Sequence, residues 1–401
     1  MSMSLLYHAF GLREVEYRST RYKGNTIIFS AVMINQGHKC PECEHRWAKK
    51  KGRKTRLFRM GLIGRKHCIL NLELHRLECC NCGKLWWPKL CFMIGNHRYT
   101  TSFALTALDL LRFGTIQAVA HLLDVGWDLV KEIHKLKLRG IYRKISLNEV
   151  KYIGIDEFSI KKGHNYMTIF TDLSTGRILH AVEGKGKEDI LPFMKKLARK
   201  AKNLKAIAMD MSSTFFWSVR EVLPHVDVVF DHYHVSALMN RAMDDLRREY
   251  QRQLEEEGKQ ALKGSRFLLL RNYDTLDPEK KDRLDELLEI NRPLYLIHSM
   301  KEQLRLFWNH TDEKKARRFL AIWCRDAWHS GIKQLADVAK TLASYRTGLL
   351  TYFKHRITSS AVEGIVNKIK TLKRQAYGFR DMEYFKLRLY HLHTQRYALT
   401  G

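Results

Sequence analysis

The amino-acid sequence predicts a multidomain chain. A cysteine-bearing β segment and a helical pair come first, followed by an α/β domain whose last helix is split off by an all-helical insertion. Three observations predict it. Seven of the eight cysteines fall between positions 40 and 91. The hydrophobic period turns from helical to strand-like at Val150, then stays helical for a long stretch after His234. The stretch SSAVEGIVNKIKTLKRQAYGFR, Ser359 to Arg380, opens on one carboxylate, Glu363, and is otherwise almost wholly basic.

Bulk composition bounds what this chain can be. With 401 residues, 45% of them hydrophobic, it can build about two or three cores. A formal charge of +29, from 71 Lys+Arg against 42 Asp+Glu, points to a polyanionic partner, nucleic acid before a ribosomal or membrane-surface role. No run of about 18 apolar residues occurs, which argues against a transmembrane span. The N-terminus meets acidic residues too early for a secretory signal. Six prolines and no low-complexity tract predict an ordered, intracellular chain, cytoplasmic and associated with the nucleoid.

Residues 1–36 read as an N-terminal segment. In 37–97, Cys40-Pro41-Glu42-Cys43 is matched by Cys79-Cys80-Asn81-Cys82, with Gly83 directly after. Two such knuckles supply four thiolates, Cys40, Cys43, Cys79 and Cys82, to one structural tetrahedral Zn²⁺. With the basic, strand-like stretch between them they read as a zinc ribbon. Cys79 keeps the two-residue gap to Cys82 and Cys80 does not; His45, Cys68 and His75 are spare candidates. In 98–148, apolar residues at helix spacing are broken at Asp124-Val125-Gly126, the outline of a helix-turn-helix. Its second helix offers Lys131, Lys135 and Lys137 to a DNA groove.

Residues 149–244 give three strands, two of them joined at Ser174-Thr175-Gly176, then helix, strand, helix, strand. That β-β-β-α-β-α-β order is RNase H-like, a mixed sheet with helices on both faces. The fifth strand is expected to run through Asp231-His232-Tyr233-His234. Residues 245–354 read as the insertion, with helix caps at Asp277-Pro278 and Thr311-Asp312. Trp308, Trp323 and Trp328 lie in it, as core residues or as a surface for stacking a flipped base. Residues 355–401 return the last long helix.

Asp156 ends the first strand and Asp210 the fourth, and in such a sheet these strands lie parallel and adjacent. Two acids brought together without a base call for a cation, and hard oxygen ligands select Mg²⁺ or Mn²⁺. Glu363 completes a cage for two such ions, an arrangement suited to in-line displacement at phosphorus. Asn367, Lys370 and Arg374, at four, seven and eleven residues beyond Glu363, share its helix face and would meet DNA phosphates. Asp231 and His234 are expected to brace the site through hydrogen bonds.

Together GIDEFSIKKG, AMDMSSTFFWSV, VVFDHYHV and SSAVEGIVNKIKTLKRQAYGFR resemble the DDE transposases of bacterial insertion sequences, the ISL3 group in particular. The resemblance implies an acidic triad at Asp156, Asp210 and Glu363. It also implies a basic partner at Lys370 and an Asp-x-x-His at Asp231 and His234. It implies cleavage at the ends of a mobile element, joining of the freed 3′-hydroxyl to a target strand, and a dimer that holds both DNA ends. The zinc ribbon and helix-turn-helix would read the terminal inverted repeats. Two alternatives keep the fold: an RNase H-like nuclease or resolvase that hydrolyses without joining, and a domesticated, non-catalytic DNA-binding regulator.

Overall fold

In the computed structural model, residues 5–34, 39–93, 97–161, 163, 165–253, 264–358 and 360–393 are described. They fall into two units, one ending at Arg143 and one beginning at Lys144.

The first unit opens with α1 (Leu5–Phe10), β1 (Val15–Lys23) and β2 (Thr26–Met33). A long hairpin follows, β3 (Ala48–Ile63) and β4 (Lys66–Cys79), and then short β5 (Leu85–Trp86). Alternation at period two buries Ile27, Phe29, Ala31 and Met33 of β2 and Cys68, Leu70, Leu72 and Leu74 of β4. These apolar rows merge because β2 pairs in parallel with β4, Thr26 opposite His67 through Val32 opposite Glu73. The sheet order is β1-β2-β4-β3, with β5 on β4. Strands from residues 1–36 and from 37–97 therefore share one sheet and one core, closed by Leu6 and Phe10 of α1.

Three helices complete this unit: α2 (Thr101–Leu110), α3 (Ile116–Leu122) and α4 (Trp127–Tyr142). Thr100 and Thr115 cap the first two by accepting the amides of Phe103 and Ala118. Phe103, Ala107, Val119, Leu123, Val130 and Ile133 form their common core. This burial corrects one DNA-facing assignment, because Lys135 is only 7% exposed and lies on the packed side of α4. Lys131 is engaged with Asp128 and Glu132, at 3.5 and 3.3 Å.

The second unit is built on β6 (Tyr152–Ser159), β7 (Tyr166–Asp172), β8 (Ile178–Glu183), β9 (Ala206–Met209) and β10 (Asp227–Phe230). The order is β10-β9-β6-β7-β8, with β10, β9 and β6 parallel and β6, β7 and β8 antiparallel. On one face, α5 (Lys187–Lys200) and α6 (Ser213–Val222) bury Ile190, Phe193, Phe215 and Val219 against Ile153, Ile155, Ile207 and Met209. The fifth strand stops at Phe230, short of the expected His234, and α7 runs from His232 to Gln253. Asp231 turns the chain by accepting the Tyr233 amide at 2.9 Å, a helix-starting contact that outweighs the strand propensity of the flanking residues.

Helices continue as α8 (Arg266–Leu270), α9 (Pro278–Ile290), α10 (Arg292–Leu306), α11 (Glu313–Trp328), α12 (Lys333–Ser344), α13 (Arg346–Leu350) and α14 (Tyr352–His355). Asp277 and Asp312 cap α9 and α11 through their side chains. The core of these helices is continuous with that of the sheet. At Gly348 a Cβ would lie 2.3 Å from the Phe230 ring, so only glycine lets α13 cover the β10 edge. The tryptophans part ways. Trp323 is buried with its Nε1 donating to the Met300 carbonyl at 2.9 Å, Trp328 is exposed, and Trp308 is half-buried. On the opposite face of the sheet lie α15 (Ser360–Gln375) and α16 (Met382–His391). No helix among the described residues is long and apolar enough to cross a membrane.

Candidate active site

Parallel pairing of β6 with β9 sets Tyr152 opposite Ala206, Ile153 opposite Ile207 and Gly154 opposite Ala208. Carried two residues further, the same offset puts Asp156 level with Asp210. Alternation decides the face. Ile153, Ile155, Ile207 and Met209 point into the core under α5 and α6, so Gly154, Asp156, Ala208 and Asp210 point the other way. Phe158, next in that second row, packs with Val362, Ile365 and Ile369 of α15. The helix that carries Glu363 therefore covers the face on which the two aspartates emerge.

The seat of that helix is Gly154. A Cβ there would fall 2.2 Å from Cγ2 of Val362 and 2.9 Å from Cδ2 of Leu173. Its absence lets the first turn of α15 rest on the strand two residues before Asp156. At the far end, Lys373 donates to the Ser159 carbonyl at 2.6 Å, so α15 runs along β6 in the strand's own direction. Val362, Ile365, Val366, Ile369 and Leu372 are buried, whereas Glu363, Asn367, Lys370 and Arg374 are exposed.

Electrostatics single out Asp156. Burial, then the neighbouring Asp210 and Glu157, push the Asp156 carboxyl up to about 6, against the pull of the Glu157 amide that it accepts at 2.7 Å. His234, from the first turn of α7, places its Nε2 2.5 Å from Oδ1 of Asp210. That hydrogen bond raises the His234 pKa against the effect of burial, helped by the charges of Asp210, Asp231 and Asp156. Asp231 is buried and also meets Nδ1 of His232 at 3.1 Å. Close acids with oxygen donors, one of them reluctant to ionise, suit a divalent cation. The three carboxylates are not drawn into one tight cluster. Among the described residues, only Cys40, Cys43, Cys79 and Cys82 bring three or more potential ligand atoms within 4.8 Å of one another.

Those thiols form the second centre. Sγ of Cys43 lies 3.5 Å from Cys79 and 3.4 Å from Cys82, and Cys40 lies 3.6 Å from Cys82. A tetrahedron of sulfurs around zinc has edges of roughly 3.8 Å, so the four residues fit such an ion. The knuckles are built alike. Cys40 donates its amide to the His45 carbonyl and Cys79 to the Lys84 carbonyl, both at 2.9 Å. The residue after each second cysteine has positive φ, 55° at Glu44 and 71° at Gly83. Lys84 joins the knuckles through Glu42 at 2.6 Å. Protons are unevenly shared. The His45 amide pulls Cys43 down to about 6. Cys82 is pushed up to about 12, its Lys84 amide outweighed by burial and by bonds to the other three thiols. Four thiols this close cannot all ionise without a cation among them. Cys68 is in the sheet core and His75 pairs with Glu73 at 3.4 Å, and neither these two nor the third spare candidate, His45, belongs to the cluster of ligand atoms.

Gly154 is the site residue that sequence reasoning missed. Its signal was the Gly two positions before Asp156 in a strand otherwise rich in large side chains. The exposed Trp47 and the Lys54–Trp87 contact, with Nζ 3.5 Å from the ring centroid, were also passed over in the basic hairpin.

Comparison with known proteins gives the family. Residues 153–389 match the ISL3-type DDE family described as transposase. The transposase for insertion sequence element IS1001 of Bordetella parapertussis is 32% identical over 387 residues, 96% of this chain and 95% of that one. The transposase for IS1557 of Mycobacterium tuberculosis (strain H37Rv) is 25% identical over 289 residues, 66% of this chain and 65% of that one. Among solved structures, the Drosophila P element transposase strand transfer complex aligns with a TM-score of 0.40 at 11% identity, over 76% of this chain and 94% of that one. The family match spans more than half of the chain and a relative over 30% identical spans nearly all of it: this chain belongs to the ISL3 family of DDE insertion-sequence transposases.

Proposed function

We propose that Asp156, Asp210 and Glu363 hold two Mg²⁺ or Mn²⁺ ions at an RNase H-like catalytic centre. There the chain cuts the ends of its element and joins the freed 3′-hydroxyl to target DNA. The observation that carries this is the parallel pairing of β6 and β9, which sets both aspartates level under the helix of Glu363. Bound divalent ions supply a lowered pKa for the attacking oxygen and charge neutralisation at the leaving one. The chain does the rest. Gly154 lets Glu363 approach. His234 fixes the orientation of Asp210 and compensates its charge, and Asp231 anchors the turn from which His234 projects. Asn367, Lys370 and Arg374 line the exposed face of α15 and grip the phosphates flanking the scissile bond.

The four cysteines hold one structural Zn²⁺ in a ribbon-like N-terminal unit that binds the terminal inverted repeats together with a helix-turn-helix formed by α3 and α4. Recognition there passes to exposed side chains such as Lys137 and away from the buried Lys135. Two copies of the chain hold the two ends.

A strand-transfer assay with labelled element ends tests the reading. Asp156→Asn, Asp210→Asn and Glu363→Gln should each slow cleavage by about a thousand-fold or more, the several kcal/mol that metal-held charge stabilisation supplies, with end binding retained. Wild-type protein should yield joined products. Nicks without joining would indicate a nuclease, and bound but uncut DNA a regulator. Cleavage by any one variant at the parent rate would remove that residue from the centre.

A further inference from the structure

The basic row on α15 ends in an aromatic side chain. Between Glu363 and Asp381 the sequence holds five Lys and Arg and no Asp or Glu, and Lys368, Lys370, Arg374 and Arg380 are exposed. Steps of four and three residues carry the exposed face from Glu363 through Asn367, Lys370 and Arg374, and the next step reaches Tyr377, just past the helix end. The turn there is firmly bonded. Tyr377 donates its amide to the Arg374 carbonyl at 3.1 Å, and Gly378 to the Lys373 carbonyl at 3.0 Å. That pair of bonds is a Schellman cap, with Tyr377 at the position that glycine or asparagine favours. Its φ is 50°, a left-handed backbone that strains a residue bearing a Cβ. Gly378 follows at 96°, and Phe379 then turns inward, its ring stacked on Phe385 at 4.6 Å. Tyr377 turns outward and is fully exposed, so no burial offsets the strain.

We propose that Tyr377 is a DNA contact, its ring packing on a base of the bound strand about six nucleotides from the scissile phosphate. A rise of about 1.5 Å per residue separates Tyr377 from Glu363 by roughly 21 Å along the helix direction. A DNA strand advances about 3.4 Å per nucleotide, so a backbone lying along Lys370 and Arg374 meets the ring about six nucleotides on. Aromatic rings stack on any base face, and a loosened base step admits one at less cost. The exposed neighbours of Tyr377 include Arg374, Gln375 and Arg380, too polar for an apolar docking patch and suited to phosphates beside a base. A merely structural cap would place glycine there. This contact rests on the reading of α15 as the helix along which DNA lies.

The test uses the full chain and labelled element-end duplexes, with a single mismatch moved pair by pair to either side of the cut. Tyr377→Gly should relieve the turn and raise the melting temperature of the second unit by about 2–4 °C. The same variant should bind element ends about 5- to 150-fold more weakly, the worth of one base–aromatic stack. Tyr377→Phe keeps the ring and should match wild type in both. For wild type, a mismatch should raise affinity most at about six pairs from the cut, where the ring enters, and Tyr377→Gly should lose that peak. Glu363→Gln should lose cleavage and keep the peak. A Tyr377→Gly protein that melts higher yet binds like wild type would overturn the contact and leave the transposase centre standing. So would a loss of affinity with no peak in the mismatch scan. A Glu363→Gln protein that cuts at the parent rate and keeps the peak would overturn the catalytic reading alone.

Discussion

Asp156 is where function and stability pull against each other. Its folded carboxyl titrates near 6, above the ordinary aspartate value, because burial and Asp210 both penalise its charge. A raised acid stabilises the fold while protonated, below its unfolded pKa, and that contribution is lost as pH rises through about 6. Without divalent ions, Asp156→Asn should therefore melt at a higher temperature than wild type at pH 8, with the gap closing by about pH 4. Magnesium should raise the wild-type melting temperature at pH 8 and leave that of the variant in place. Thermal scans at both pH values check this, and an equal gap at pH 4 and pH 8 would show that charge at Asp156 is not the cause. His234 has the same sign. Its pKa is raised by Asp210, so its support is present at low pH and fades as pH rises through its folded value.

At the scale of elements, the approach of α15 to β6 is the step that brings Glu363, the proposed third acid, to the sheet. Gly154→Ala forces a methyl group into space already filled by Val362, a stiff, fully buried, β-branched side chain. We expect about 1–3 kcal/mol of destabilisation, typical of overpacking, and a loss of DNA cleavage of about ten-fold or more as the head of α15 is pushed outward. The double variant Gly154→Ala with Val362→Ala should recover much of the cleavage, because the second change makes room for the first. Melting curves and cleavage rates on labelled ends read both effects. A single variant that cuts like wild type would mean that the close approach does not position α15. This contact also shows what was legible beforehand. The strands β6 and β9 and the exposed row from Glu363 to Arg374 follow from apolar runs and helix spacing alone. Gly154 did not stand out, because a missing side chain carries no pattern of its own. The register of β2 with β4 was equally hidden, since parallel pairing between distant segments leaves no local signal. Lys135 misled because spacing gives a helix face but not what that face packs against, and a long apolar stem lets lysine lie on buried surface.

In the whole molecule, the two proposed metal centres lie in two units with separate cores. The second unit begins at Lys144, and Leu147 and Val150 are buried in its core. Separate cores make the consequences of metal loss separable. The four thiols tie the chain ahead of β3 to the end of β4, whereas Phe29, Phe58, Leu70 and Leu72 hold the sheet without them. Stripping zinc with a strong chelator, or Cys40→Ser, should release one zinc ion per chain and loosen the knuckles without melting the second unit. Calorimetry should show two transitions, as expected of a chain with two cores, and only the N-terminal one should shift downward. Affinity for element ends should fall together with that transition. A fragment beginning at Lys144 should keep the magnesium-dependent rise in melting temperature. If chelation leaves end binding and both transitions unchanged, or if the purified chain carries no zinc, the cysteine cluster is not a metal centre and the N-terminal unit is held by its sheet alone.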